Sequence, residues 1–148
     1  MRMWWRSGAL LLAVLIAGAP ALALEAVDPQ AIAAFAGRQG LREVAPFVDA
    51  VRTLRTAGKL PARYVTKDQA RARGWHGGGL CNIWPGHVIG GDVFQNFGRK
   101  LPAERTRVYR EADLDSTCGE RGAKRLVFSD DGLIFVTVDH YNSFAKVP

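Results

Sequence analysis

Cysteine is almost absent: the 148-residue chain contains two, Cys81 and Cys118. That is too few for a zinc framework, which draws on about four Cys or His ligands. Acidic residues are also in the minority, 14 against 20 Lys and Arg, for a net charge of +6. A polyanion such as nucleic acid or an acidic envelope surface therefore suits the chain better than a basic partner. No internal repeat is visible. A composition that is 48% hydrophobic and 23% charged excludes disorder, collagen and coiled coil, and the length leaves no room for a second sizeable domain.

The one long apolar run stands at the start. Arg2 and Arg6 precede an unbroken small-and-apolar stretch from Gly8, and Ala21-Leu22-Ala23 offers the small residues that signal peptidase reads. Residues 1–23 are therefore expected to be a signal peptide rather than an anchor, because the run contains Pro20 and falls short of the roughly 20 residues that span a bilayer. The expected location is extracellular or periplasmic, with no membrane attachment in the mature form. Cleavage removes Arg2 and Arg6 and no acidic residue, so the remainder stays basic. Export also decides the cysteines. In an oxidising compartment Cys81 and Cys118 are expected to pair, and closing the loop between them is worth about 4 kcal/mol in the chain-entropy account.

Asp28-Pro29 opens an alanine-rich segment, Gln30 to Ala36, read as a weak helix or an ordered lead-in. Residues 24–43 form a lead-in without an assigned role, and 44–148 form the main domain. From Glu43 to Ala57 the residues Val44, Phe47, Val48, Val51 and Leu54 recur at helical spacing, with Pro46 in the first turn and Gly58 at the stop. Thr66 with Gln69 is a capping-box signature for a second helix ending before Gly74. Lys67 in its first turn works against the helix dipole, so it is either a solvated lysine or one kept for an anionic ligand. Beyond Trp75 the glycines at 77–79, 86 and 90–91 punctuate short apolar runs as turns do between strands. Val108 to Leu114 alternates as a half-buried strand, with Tyr109, Glu111 and Asp113 on its outer side. Arg125–Ser129 and Leu133–Asp139 are further strands, joined through Asp130-Asp131-Gly132. Helices first and strands after predict an α+β fold, the N-terminal helices packed on one face of a twisted antiparallel sheet.

Each chemically capable residue has an ordinary reading. His76 and His87 sit in glycine-rich loops, His140 ends an apolar strand, and Glu111 sits on a solvated strand face. Together, however, a carboxylate, a histidine, two arginines four apart (Arg121 and Arg125) and Lys67 on one sheet face suit metal-free in-line phosphoryl chemistry. The base takes a proton, the acid gives one, and the cations hold the phosphate.

The segments Lys59-Leu60-Pro61, Tyr64-Val65-Thr66-Lys67, Gly74-Trp75, Ile89-Gly90-Gly91-Asp92-Val93-Phe94, Leu101-Pro102, Arg110-Glu111-Ala112-Asp113 and Asp139-His140-Tyr141 carry a resemblance. From about Val44 to Lys146, almost without gaps, the chain resembles the barnase-like, guanyl-preferring ribonucleases of bacteria. The resemblance implies the microbial ribonuclease fold, RNA as the substrate, no cofactor and no metal. It implies Glu111 as general base and His140 as general acid, with Lys67, Arg121 and Arg125 stabilising the phosphate and transition state. It places Tyr141 with Phe94, Gln95, Asn96 and Phe97 at the substrate. In this chemistry a 2′-hydroxyl attacks the adjacent phosphorus to give a 2′,3′-cyclic phosphate, which water then opens. The division of labour is sound, since a carboxylate is ionised at neutral pH and a histidine with pKa near ~6.5 can be supplied protonated.

The base-recognition loop departs from that family. Its relatives carry Asn-Arg-Glu, whose glutamate accepts from guanine N1 and N2; here Asn96 stays, but Phe97 and Gly98 replace the arginine and glutamate. Without the anionic acceptor, guanine preference is expected to weaken. The resemblance also implies a barstar-like intracellular protein inhibitor covering the basic face, and a monomeric enzyme. Two other readings carry their own signatures. A binding protein with this fold would bind RNA without turnover, and a metal-dependent nuclease using Asp92, Asp113 or Asp139 would lose activity in EDTA.

Overall fold

In the computed structural model, which describes residues 28–148, each helix start is fixed by an oxygen that accepts otherwise unpaired amides. The signal-peptide reading of residues 1–23 lies outside the described residues. Helix α1 (Pro29–Arg38) begins with Asp28, whose carboxylate accepts from the Gln30 amide at 2.9 Å. Helix α2 (Val44–Ala57) ends at Gly58 in the left-handed region, φ 66°, where a side chain would be strained. Helix α3 (Lys67–Arg71) carries the complete Thr66/Gln69 capping box but spans only five residues, shorter than the helix expected up to Gly74. The Trp75 amide folds back onto the Ala70 carbonyl at 3.1 Å, and burial of the Trp75 ring ends the helix early.

Strands β1 (Tyr64–Val65), β2 (Val88–Phe94), β3 (Tyr109–Asp113), β4 (Arg125–Ser129), β5 (Ile134–Thr137) and β6 (Ala145–Lys146) form one sheet in chain order. All neighbours are antiparallel except β1 and β2, a two-residue parallel pair in an otherwise antiparallel α+β fold. Gly91, at φ 104°, interrupts the register between Gly90 and Asp92 in β2. This bulge brings Asp92 opposite Glu111.

The main core joins Ile32 and Phe35 of α1 and Phe47, Val51 and Leu54 of α2 to Ala112, Leu126, Phe128, Ile134 and Val136 of the sheet. The lead-in helix thus shares the core of the rest of the chain. The opposite sheet face is not the solvated surface that alternation suggests. Tyr109 packs there with Leu101, Val127 and Phe135, and Asp113 is only 1% exposed. The cause is the long connection after β2, which brings Leu101 over the strands.

Helix α2 has no side-chain cap of its own. Its entry is capped from the far end of the chain by Asp115, whose buried carboxylate accepts from the amides of Arg42 (3.1 and 2.9 Å) and Glu43 (3.0 Å) and from Lys124 Nζ (2.7 Å). Burial pushes this carboxyl up, but the bonds from Lys124 and the two amides outweigh it and leave it below the ordinary carboxylate range. A folded-state pKa below the unfolded one stabilises the fold above the unfolded value of about 4, and the gain disappears as pH falls through the folded value. We therefore expect Asp115→Ala to cost about 2 to 4 kcal/mol at pH 7 and progressively less towards pH 3. Urea melts at both pH values check this; a loss equal at both would contradict it.

Candidate active site

Strand periodicity puts Glu111 and Asp113 of β3 on the face away from the helices, and the β3–β4 register sets Asp113 directly opposite Arg125. Asp113 is the pivot. Its carboxylate accepts two hydrogen bonds from Arg121, Nε at 2.7 Å and Nη2 at 2.8 Å, and Arg125 Nε stands 3.1 Å from Oδ1 without hydrogen-bond alignment. The Arg125 side chain, 4% exposed, is further held through Nη1 by the carbonyls of Gly122 (3.0 Å) and Lys124 (2.8 Å). Hydrogen bonding to Asp113 raises the Arg121 guanidinium above its ordinary value, so it stays charged throughout the working range.

Glu111 sits beside this pair. Its carboxylate, 12% exposed, accepts from the Tyr141 hydroxyl at 2.6 Å and from Lys67 Nζ at 3.3 Å. Lys67 reaches it because Asp92, delivered by the β2 bulge, accepts the Lys67 amide at 3.3 and 3.0 Å and fixes the start of α3. Asp92 also supplies the negative charge that balances a lysine at a helix N-terminus. Burial, then the bond to Glu111, push the Tyr141 phenol up to about 12, so it remains a hydrogen-bond donor at every working pH.

His140 and Tyr141 lie on the turn after β5, both in the left-handed region, φ 57° and 69°. The turn is laced from inside. Thr137 Oγ1 accepts the Tyr141 amide (2.9 Å) and donates to Asp139 (2.9 Å), and Asp139 accepts from the Ser143 hydroxyl (2.6 Å) and amide (2.9 Å). The Ser143 bonds, with that from Thr137, lower the Asp139 carboxyl to about 2. Lys100 Nζ ties the loop after β2 to the same turn through the carbonyls of Tyr141 (3.1 Å) and Asn142 (2.8 Å). The His140 ring is exposed, its centroid 5.2 Å from that of Tyr141, which stacks on Phe94 at 5.3 Å.

A cleft of about 390 Å³ opens beside Glu111, lined by Val93 to Gly98 with Lys100, Tyr141 and Phe144. Asn96, at φ 49°, pins its loop by accepting the Leu101 amide (3.2 Å) and donating to the Leu101 carbonyl (3.0 Å). Gln95 is exposed, and Phe97 is 88% exposed. The structure thus gathers Glu111, Lys67, Arg121, Arg125 and Tyr141 into one cluster, with His140 next to Tyr141 and the loop residues lining the adjoining cleft. Asp92, Asp113 and Asp139 are each engaged by separate partners, and among the described residues no group of three His, Cys, Asp or Glu is arranged to hold a metal ion.

With this geometry, comparison with known proteins is informative. The ribonuclease family model matches residues 48–148. The chain belongs to that family. A ribonuclease of Heyndrickxia coagulans is 48% identical over 91 residues, 60% of this chain and 84% of that protein. The ribonucleases of Bacillus intermedius and Bacillus pumilus are each 47% identical over 91 residues, covering 60% of this chain and just over half, 56%, of their own length. The fold class and the endoribonuclease activity expected from sequence stand with this membership.

Sequence reasoning missed Asp113 as the holder of both arginines, although its place two residues beyond Glu111 on a strand puts both on one face. It also missed Lys100, whose role depends on a turn 41 residues away and leaves no local signal. The Cys81–Cys118 pairing is present. Because Asp113 is buried against two guanidiniums, Asp113→Ala is expected to cost about 3 to 5 kcal/mol, the penalty of leaving a buried charge unpaired. Chemical denaturation checks this; a loss under about 1 kcal/mol would contradict it.

Proposed function

We propose that this ribonuclease is a secreted, metal-independent endonuclease that cleaves single-stranded RNA in two acid–base steps. In the first, Glu111 removes the proton of the ribose 2′-hydroxyl. The 2′-oxygen attacks the adjacent phosphorus, and His140 protonates the departing 5′-oxygen to leave a 2′,3′-cyclic phosphate. In the second, His140 takes a proton from water, water attacks the ring, and Glu111 returns the proton to the 2′-oxygen, giving a 3′-phosphate. Lys67, Arg121 and Arg125 hold the phosphoryl oxygens, where fixed charge stabilises the transition state most, and Tyr141 orients Glu111. The observation that carries this reading is the Glu111 carboxylate, bonded by Tyr141 and Lys67 at the edge of a cleft and next to two guanidiniums fixed on Asp113.

We further read residues 1–23 as the export signal and 44–148 as the catalytic domain. A disulfide between the only two cysteines suits an oxidising compartment. The basic face of Lys67, Arg121 and Arg125 suits an acidic intracellular inhibitor of the monomeric enzyme. Base preference is weakened because Gly98 stands where the family's acceptor glutamate stands. Glu111 apart, the cleft lining holds no carboxylate among the described residues, and Glu104 lines the neighbouring hollow with Arg99 and Arg107. Exposed Phe97 offers a stacking face that tolerates any base.

Glu111→Ala and His140→Ala are each expected to lower kcat/KM for RNA about 10² to 10⁴-fold in EDTA, with little change in Tm for the exposed His140; near-full activity in either would overturn the assignment, and binding without turnover in the unaltered enzyme would favour a binding module. On dinucleotides, kcat/KM for GpN should exceed that for ApN by far less than the roughly 10⁴ that a matched polar site reaches; a ratio at or above that level would contradict the reading of Gly98.

A further inference from the structure

We propose that the Cys81–Cys118 disulfide is a positioning element for Arg121, so that the ribonuclease reaches full activity only with this bond oxidised. The proposal rests on the reading of Arg121 as a phosphate-holding residue and adds the means by which its guanidinium is kept in place.

Arg121 stands on the β3–β4 connection, residues 114–124, which forms neither helix nor strand. Its ends are held, by the Leu114 amide on the Lys124 carbonyl at 3.0 Å, by the buried Asp115 and by Arg125 Nη1 on the Gly122 carbonyl, but between them residues 116–121 have only a turn of their own, in which the Thr117 amide donates to the Glu120 carbonyl at 2.8 Å and the Glu120 amide to Thr117 Oγ1 at 3.1 Å. Asp113 holds the Arg121 head group, but that carboxylate is shared with Arg125, and the Arg121 side chain is 22% exposed. Arg125 holds the Gly122 carbonyl just after Arg121, and the disulfide supplies the restraint on the side before it. Cys118, three residues before Arg121, is bonded to Cys81 on the connection between α3 and β2.

Around the bond the two connections run in backbone contact. The Gly79 amide donates to the Gly119 carbonyl at 3.3 Å, and a Cβ at Gly79 would collide with the Thr117 carbonyl. The Cys81 side is firmly anchored. The Trp75 ring is 5% exposed, its indole N–H donates to the Gly78 carbonyl at 3.1 Å, and the Arg121 guanidinium carbon lies 5.9 Å from the centre of a Trp75 ring. Opening the disulfide leaves this contact to one long backbone hydrogen bond and the Trp75–Arg121 approach. Residues 116–121 then gain freedom between Asp115 and Gly122, which stay held, while the core beneath is untouched.

A dithiol opens the bond by exchange. Its thiolate attacks one sulfur, its second thiol closes the reductant's own disulfide, and two electrons and two protons pass to the protein as two thiols. A compartment kept reducing by dithiols would therefore hold the enzyme in its weaker form.

The test measures kcat and KM on RNA for the oxidised protein and for the protein reduced with dithiothreitol, in the unaltered and Arg121→Ala backgrounds, at a temperature where circular dichroism shows all four folded. Reduction is expected to lower kcat about ten- to a hundredfold in the unaltered protein, and reoxidation to restore it. In Arg121→Ala, already impaired, reduction is expected to lower kcat no further, because both changes act through one group. Equal losses in the two backgrounds, or none on reduction, would overturn the proposal. Undiminished kcat in oxidised Arg121→Ala would overturn the reading of Arg121 itself, and this proposal with it. The Cys81→Ala/Cys118→Ala pair serves as the second form of the opened protein; unfolding of both forms at every assay temperature would also overturn it, since the bond would then hold the fold rather than the site.

Discussion

A buried carboxylate must be compensated, and in this protein that requirement assembles the site. Asp113 is 1% exposed, and an isolated charge at that depth would cost many kcal/mol. The strand register sets Arg125 against it, and the loop after β3 folds back to bring Arg121 onto it in a two-pronged bond. Two like-charged guanidiniums that would otherwise repel are thereby concentrated beside Glu111. The stability of the fold and the concentration of positive charge beside Glu111 rest on the same interaction.

The sheet divides the labour. One face packs on α1 and α2 and supplies most of the core, while the other is crossed by the connections that carry Lys100, Asn96 and the His140–Tyr141 turn. Four non-glycine residues on these connections, Asn96, Arg99, His140 and Tyr141, adopt left-handed backbone. Such conformations persist only where the surroundings dictate them. Asn96 is pinned to Leu101 through both ends of its amide, and the Tyr141 segment is held by Thr137 from below and Lys100 from above. The exposed His140 ring therefore stands on a rigid base, as the proton-donor role proposed for it requires.

Local chemistry was legible in the sequence. Periodicity and Gly58 defined α2, Thr66 and Gln69 defined the start of α3, and Arg125–Ser129 was read to its ends because β4 is apolar between two turns. The residues expected from resemblance to share a site do lie around one cluster. What stayed hidden depends on long-range partners. Asp115 caps α2 from 73 residues away, so α2 looked capless. The outer side of β3 looked solvated because no local pattern announces that Leu101 will cover Tyr109, or that two arginines will bury Asp113. Strand β2 was obscured by Gly90-Gly91, residues that read as a turn but serve as a bulge within a strand.

The bulge, the Asp113 pivot and the laced turn support the chemistry proposed: a fixed carboxylate and an exposed imidazole each pass a proton to or from the substrate while cations hold the phosphate. The most direct test follows the products of a dinucleoside monophosphate by ³¹P NMR in EDTA, alongside the same substrate with a 2′-deoxyribose at the cleaved position. The account predicts that a 2′,3′-cyclic phosphate rises and then gives way to a 3′-phosphate, and that the deoxy substrate stays intact. A 5′-phosphate product, or cleavage of the deoxy substrate, would contradict it.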